Sequence, residues 1–202
     1  MKIDLKKELK HLYAPSAEEP AIVDVPEMDY LMVDGHGDPN TSPEFQDAIE
    51  ALYGVSYTMK FAAKKAGAED DHVVMPLEGL WWADDMATFS PENKDAWKWT
   101  LMIAQPEHVT KAGVDDAIAA VRRKKELAAL DGLRLESLHE GTSAQIMHVG
   151  PYSEEGPAIG KLHAFIRENG SEPSGKHHEI YLSDPRRTAP EKLKTVLRQP
   201  MG

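Results

Sequence analysis

Residues 175–187 have the sequence Gly-Lys-His-His-Glu-Ile-Tyr-Leu-Ser-Asp-Pro-Arg-Arg, a short alternating segment that ends at an Asp-Pro turn. Successive side chains of a β-strand point to opposite faces, so this segment predicts a strand with Glu179 and Tyr181 on one face. Removing an acid from water is costly unless a partner or a ligand compensates for the lost hydration. A carboxylate beside a phenol on a strand therefore favours a ligand cleft over a plain core.

Residues 75–83, Met-Pro-Leu-Glu-Gly-Leu-Trp-Trp-Ala, repeat this combination of an acid with aromatic surface. The two-residue period places Glu78 and Trp82 on the same face and Trp81 on the other. Pro76 and Gly79 indicate an irregular strand, so a cleft position and a structural position for Glu78 stay equally open. Because the two tryptophans cannot share a face of a regular strand, we expect one in the core and the other at a ligand site.

The composition excludes several functional classes. The 202 residues carry a net charge of -11, and the basic runs are short, which disfavours a surface that follows nucleic-acid phosphates. The chain has no cysteine, so disulfides, thiolate nucleophiles and Cys-based metal sites are impossible. The N-terminus is charged and no apolar run approaches ~20 residues. We therefore expect a cytoplasmic protein without a signal peptide or membrane segment.

The search for cofactor motifs gives a similar result. The chain has no nucleophile elbow, phosphate loop or dinucleotide fingerprint, so we expect no cofactor. His177 and His178 are adjacent on a predicted strand and point to opposite faces, so one metal ion could not easily bind both, and we expect no metal site. His148, on another predicted strand, is more typical of a satisfied core histidine than of a catalyst.

The order of predicted elements occurs twice along the chain. A two-stranded hairpin, a helix and a further strand follow one another in residues 21–82 and again in residues 133–182. Between them lie a strand over residues 96–104 and a linking helix, and a last short helix is predicted from Pro190. This pattern predicts a single domain over residues 1–202 with an internal duplication, about 21–104 and 133–187. The fold class is α+β, with antiparallel sheet on one side and helices on the other, and the seam between two like halves is a natural place for a ligand pocket.

Three further aromatic residues are candidates for ligand contact. Trp97 and Trp99 share a face of the strand predicted over residues 96–104, where two core aromatics and the wall of a ligand cage are equally open interpretations. Tyr152 follows a strand end and Gly-Pro, so its ring either projects over a cleft or anchors a loop.

Five segments in order carry a resemblance to a known family, and they are residues 30–39, 76–82, 97–106, 145–152 and 177–185. Together they resemble the GyrI-like family of small-molecule-binding domains in its stand-alone form, without a helix-turn-helix region. The resemblance implies two pseudo-symmetric β-α-β-β modules around a central cleft that takes up hydrophobic, often cationic or polycyclic compounds. One branch of the family is thought to hydrolyse cyclopropane-bearing DNA alkylators of the yatakemycin and duocarmycin kind within an aromatic cage, and the Trp-rich segments here are similar to that branch.

The resulting hypothesis is a protein that binds a flat hydrophobic xenobiotic and hydrolyses it, which would protect the cell. Glu179 would act as general base, with its pKa raised by the cage, and Tyr152 or Tyr181 would donate a proton to the developing phenolate. The predicted ligand-binding residues are Glu78, Trp82, Trp97 and Trp99.

Two alternatives to this hydrolase hypothesis remain. A non-catalytic drug-binding or sequestering protein would use the same cage, with the acid as a counter-charge for a cationic ligand. An inhibitory partner of a topoisomerase follows from the family name alone. The expected partner is a hydrophobic aromatic small molecule, without nucleic acid or membrane, and a protein partner is left open.

Overall fold

The computed structural model describes residues 2–66, 71–86, 89–90 and 93–202. This part of the chain contains both helices and antiparallel strands, which confirms the predicted α+β class. The helices are α1 (Leu5–Glu8), α2 (Lys10–Tyr13), α3 (Pro43–Ala66), α4 (Lys111–Arg122) and α5 (Gly156–Glu168). The strands are β1 (Ala21–Val25), β2 (Met28–His36), β3 (Glu78–Trp82), β4 (Lys98–Gln105), β5 (Arg134–Leu138), β6 (Gly141–Val149), β7 (His177–Tyr181) and β8 (Lys194–Pro200).

The chain divides into two compact units. Unit 1 contains the described residues of Met1–Leu5, Met28–Leu77 and Trp81–Leu138, and unit 2 contains Lys6–Glu27, Glu78–Leu80 and His139–Gly202. Each unit has its own antiparallel strand pairings and its own packed helices. The two units do not coincide with the two halves of the sequence, because each takes strands from both halves.

In unit 1, β2 pairs with β4 on one edge and with β5 on the other. Helix α3 packs against β2 and α4. The pairing places Gly35 opposite Trp99, and the indole ring lies over the glycine, where a Cβ atom would come within 2.1 Å of the ring. Glycine is therefore required inside this strand because an aromatic ring occupies the space of its missing side chain.

In unit 2, the strands are ordered β1-β6-β8-β7, and all three pairings are antiparallel. Helix α5 packs against β6 and β8. Pro157 lies in its first turn and Gly170, with a positive φ of 76°, lies just beyond its end, which are common positions for these residues at helix termini. The core contacts between this helix and the strands come from Ala144, Ile146, Leu162, Ile166 and Leu197.

The predicted hairpins are wrong, although their strands form. β1 pairs with β6 in unit 2, whereas β2 pairs with β4 and β5 in unit 1. β5 and β6 are separated in the same way. Pro26-Glu27 and His139-Glu140, which connect these strands, are not the Asn-Gly or Asp-Gly pairs that favour tight two-residue hairpins.

The predicted helix after Pro190 is also wrong. Only Pro190–Lys192 forms a 3₁₀ turn, and the segment continues as strand β8 between β6 and β7. Both faces of this strand are covered, so its apolar residues do not alternate clearly with polar ones and their spacing resembles that of a helix. The further strand predicted at the end of residues 21–82 forms over Glu78–Trp82.

No helix in the described ranges combines the length and apolar character that a bilayer crossing requires. The order β-β-α-β, which the sequence predicted twice, does occur twice along the chain, and a further strand follows it each time. A pseudo-two-fold relation between residues 21–104 and 133–187 stays a prediction, as does the assignment of the whole chain to one domain.

Candidate active site

Strand β7 carries two different polar clusters, one on each face. His177, Glu179 and Tyr181 occupy one face, and His178 occupies the other, as the alternation of a strand requires. All the partners of these side chains described below belong to unit 2. The adjacent histidines therefore have separate environments, as the sequence predicted.

The first cluster is centred on the Glu179 carboxylate. His177 Nε2 lies 3.1 Å from Glu179 Oε1, and the Tyr181 hydroxyl donates to Glu179 Oε2 at 2.7 Å. The Glu179 side chain is 14% exposed. Both oxygens therefore have a donor while the carboxylate keeps some access to solvent.

A second acid, Glu155, faces this carboxylate. It lies at the N-terminal end of α5, is 5% exposed and interacts electrostatically with Glu179. Burial raises the pKa of Glu155 to about 9, and the negative charge of Glu179 contributes to the increase. At neutral pH the pair therefore consists of one protonated and one ionised carboxyl group.

The pKa of Glu179 is shifted in the direction opposite to the one expected from the sequence. Burial raises it, but the hydrogen bonds from His177 and Tyr181 outweigh burial, so the pKa lies below its usual value. The expected increase is therefore wrong for Glu179, and it occurs at Glu155 instead. Two acids with opposite shifts are the arrangement that enzymes use to assign a base and an acid.

Tyr152 extends this cluster toward solvent. Its ring meets that of Tyr181 edge to face, with ring centroids 5.6 Å apart, and 40% of the residue is exposed. The three residues predicted as catalytic therefore lie in one cluster. A hydrogen bond joins Glu179 to Tyr181, and a ring contact joins Tyr152 to Tyr181.

The cluster on the opposite face of β7 is closed to solvent. Glu78 is fully buried, accepts a hydrogen bond from the Tyr13 hydroxyl at 3.1 Å, and lies 2.9 Å from His178 Nε2. His178 Nδ1 lies 2.9 Å from Glu140 Oε2, to which Arg198 donates at 3.1 Å. Two acids thus balance two cations, and the hydrogen bonds favour the structural alternative for Glu78.

The pKa values of this network agree with that interpretation. Burial alone would lower the pKa of His178, but Glu140 and Glu78 raise it to about 9. Burial would raise the pKa of Glu140, but His178 and Arg198 lower it to about 2. The imidazolium therefore stays protonated at neutral pH and donates from both nitrogens to carboxylates.

The predicted ligand-binding tryptophans all lie in unit 1. Trp99 is 1% exposed and meets Phe45 edge to face at 5.2 Å, so its burial favours a core role. Trp81 is also buried, whereas Trp82 is partly exposed, so the two neighbours differ in environment as expected. Trp97 is partly exposed and contacts Trp81 and Phe89.

Trp97 also lines a cavity of about 390 Å³ in unit 1. Three aspartates, Asp84, Asp85 and Asp95, share this lining, and Lys98 forms an ion pair with the first of them. An indole beside excess negative charge suits a cationic aromatic molecule. The role of all these residues in ligand binding stays a prediction.

Sequence reasoning did not identify four of the polar residues in these clusters, and Tyr13 is one of them. Glu155 resembled an ordinary acid before a helix, and Glu140 an ordinary turn acid. Arg198 lay in a segment that was predicted as helix. The alternation of β7 did place His177 on the face of Glu179, but it could not supply the partners that come from distant segments.

The described residues contain no group of three or more His, Cys, Asp or Glu side chains suited to a metal ion.

Comparison with known proteins gives structural relatives. A Listeria innocua protein described as an uncharacterized conserved protein is 42% identical, with a TM-score of 0.92 and full coverage of both chains. A crystal structure described as a hydrolase from Listeria innocua is also 42% identical, with a TM-score of 0.86 and full coverage of both chains. The C-terminal domain of EcmrR shares the fold at 13% identity and a TM-score of 0.57, covering 91% of this chain and 97% of that one.

No curated protein matches the chain. The model of the GyrI-like small molecule binding domain matches residues 18–200, which is most of the sequence and includes the Glu179 cluster. The chain therefore belongs to the GyrI-like family of small-molecule-binding domains.

Proposed function

We propose that this protein binds a flat hydrophobic compound and hydrolyses it, with cyclopropane-bearing DNA alkylators as the substrate class. The observation that carries the proposal is the pair of acids Glu179 and Glu155, which lie beside two tyrosines. The pKa of Glu155 is raised above its usual value, and that of Glu179 is lowered. The Listeria protein described as a hydrolase, at 42% identity, supports the same reaction class.

The reaction would add water across a strained ring conjugated with a carbonyl group. Glu179 accepts a proton from water, and the water oxygen forms a bond to a cyclopropane carbon. The ring C–C bond breaks, and its electron pair moves through the conjugated system to the carbonyl oxygen. That oxygen becomes a phenolate and then takes up a proton.

The cluster contains the groups that this proton balance requires. Glu155 holds a proton at neutral pH, and Tyr152 offers an accessible hydroxyl to stabilise the phenolate as it develops. Glu179 gains the proton of the water, and the phenolate oxygen takes up the proton that Glu155 releases. Transfer between the two carboxyls then restores the starting state.

The direct test is product analysis. Purified protein is incubated with a cyclopropane-bearing alkylator, and the products are followed by mass spectrometry. We expect a product heavier by one water molecule, formed with multiple turnovers and with an opened ring. Recovery of unchanged compound, bound or free, contradicts the hydrolase proposal.

A non-catalytic sequestering function is the second candidate, and the acidic cavity beside Trp97 favours it. Its expected ligand is a planar cation, held by the aspartates and by the indole face. Under this alternative, tryptophan fluorescence responds to planar cations, chelators leave the response intact, and no hydrated product accumulates.

A further inference from the structure

Unit 2 contains a cavity along the N-terminal segment, which the proposed reaction does not use. Its volume is about 490 Å³, within the range typical of small-molecule sites. The lining combines ammonium groups with apolar and aromatic surface. The lining residues are Lys6, Lys7, Lys10, Tyr13, Ala14 and Leu182.

The lysines of this cavity give it a positive charge in a chain whose net charge is -11. Lys6 and Lys10 are exposed and form no ion pair with another described residue. These two like charges beside one cavity repel each other, and a bound anion would reduce that repulsion. The charge of the lining is therefore complementary to an acidic ligand.

Buried polar side chains fix the segment that carries these lysines. Helices α1 and α2 have four residues each, too few to be stable alone. Arg198 donates to the Leu12 carbonyl at 3.0 Å, and Gln145 donates to the His11 carbonyl at 2.6 Å. The backbone of α2, which carries Lys10, is therefore anchored to the interior of unit 2.

The apolar wall of the cavity is fixed in the same way. The Tyr13 hydroxyl is bound to buried Glu78, so its ring has a defined orientation. The Leu182 amide donates to the Lys194 carbonyl at 3.0 Å, which holds this residue at the end of β7. Alternation along β7 places Leu182 on the face of His178, opposite that of Glu179.

This cavity is thus distinct from the Glu179 cluster. Its lysines and Tyr13 also precede residues 18–200, the range that matches the family model. We propose that it binds an anionic small molecule with an apolar body, of the aromatic carboxylate class. The lysines pair with the carboxylate, and Tyr13 and Leu182 contact the body.

The test is a calorimetric titration of the full chain with 1-naphthoate, and with neutral 1-naphthylmethanol as the matched probe. We expect naphthoate to bind, the alcohol to bind at least tenfold more weakly, and added salt to weaken naphthoate binding. Replacing two lysines, in the variant Lys6→Gln/Lys10→Gln, should weaken naphthoate binding by roughly tenfold.

A control variant, Lys124→Gln/Lys192→Gln, removes the same charge from exposed lysines outside the cavity and should bind as the parent does. Circular dichroism establishes that both variants are folded. Three outcomes overturn the proposal: no binding at millimolar naphthoate, equal affinity for the alcohol, or equal weakening in both variants. Loss of binding in Glu179→Gln, with retention in the Lys6/Lys10 variant, assigns the anion to the other cluster and also overturns it.

Discussion

Glu179 is the residue at which catalysis and simple binding can be separated. Its two oxygens have donors in His177 and Tyr181, and its proton-bearing neighbour Glu155 leaves it ionised. An ionised acid with some solvent access can remove a proton from water, and it can also attract a cation. The geometry permits both roles, so a substitution must distinguish basicity from charge.

Glu179→Gln retains the size and much of the hydrogen-bonding capacity of the side chain but removes its basicity. If Glu179 activates water, turnover of a cyclopropanoid should fall about 10²- to 10⁴-fold, as is typical when a general base is lost. The affinity for the substrate should change much less. Steady-state kinetics and calorimetric binding to the same compound measure the two effects.

The matched control is Glu154→Gln, which alters a neighbouring acid on the same 3₁₀ turn as Tyr152 and should leave turnover unchanged. Parental turnover in Glu179→Gln would eliminate this residue as the base. A loss of affinity for cationic ligands alone would instead identify it as a counter-charge.

Residue-scale prediction succeeded where neighbours in sequence share a strand face. The period of two in β7 was enough to group Glu179 with Tyr181 and to separate His177 from His178. It could not reveal Glu155, because that acid reaches Glu179 from helix α5, and the contact depends on how the helix packs. The direction of the shift in the Glu179 pKa was predicted wrongly because the hydrogen bonds that its carboxylate accepts were not known.

At the scale of elements, β2 and β4 depend on one close contact between a glycine and an aromatic ring. Gly35→Ala would place a Cβ atom 2.1 Å from Trp99 Cη2, inside a packed unit. The ring has to move, and overpacking of this kind costs about 1–3 kcal/mol of the free energy of unfolding. Urea denaturation of the variant and the parent measures the difference.

Gly54→Ala is the corresponding control in helix α3. A Cβ at this position meets Val121 at 3.6 Å, an ordinary contact, and alanine favours a helix over glycine by about 1 kcal/mol. This variant should be as stable as the parent or more stable. Equal stability of Gly35→Ala and the parent would contradict the packing argument.

The elements themselves were predicted more successfully than their pairing. Helices α3, α4 and α5 lie in segments that were predicted as helices, and seven of the eight strands fall in segments that were predicted as strands. Strand partners are set by contacts distant in sequence. The pairing of β1 with β6, and of β5 with β2, was therefore not predictable. β8 was misassigned because burial on both faces removes the period that identifies a strand.

At the scale of the whole molecule, the network on β7 connects segments that are far apart in sequence. Tyr13, Glu78, Glu140, His178 and Arg198 come from five segments of unit 2. The two carboxylates balance the charge of the imidazolium and the guanidinium, and each charged group is hydrogen-bonded to a group of opposite charge. Removing one charge leaves its buried partner uncompensated, which makes the free energy of unfolding depend on pH.

The dependence on pH has a defined sign on each side. The folded-state pKa of His178 is raised from 6.5 to about 9, so its contribution to stability is complete below pH 6.5 and is lost as pH rises through 9. The pKa of Glu140 is lowered from 4.5 to about 2, so its contribution is present above pH 4.5 and is lost as pH falls toward 2.

We therefore expect the free energy of unfolding to decrease by a few kcal/mol between pH 6.5 and 9.5, measured by urea denaturation at constant ionic strength. The folded-state pKa of Glu155 is also raised, from 4.5 to about 9, so its contribution to stability is likewise lost as pH rises, over the wider range between these two values. NMR titration of the His178 imidazole separates the two groups, because His178 should remain protonated at pH 8. His139→Gln, which removes an exposed histidine, should keep the same pH dependence. A His178 imidazole that titrates near 6.5, or a stability that is constant up to pH 9.5, would show that the buried imidazolium does not hold these segments together.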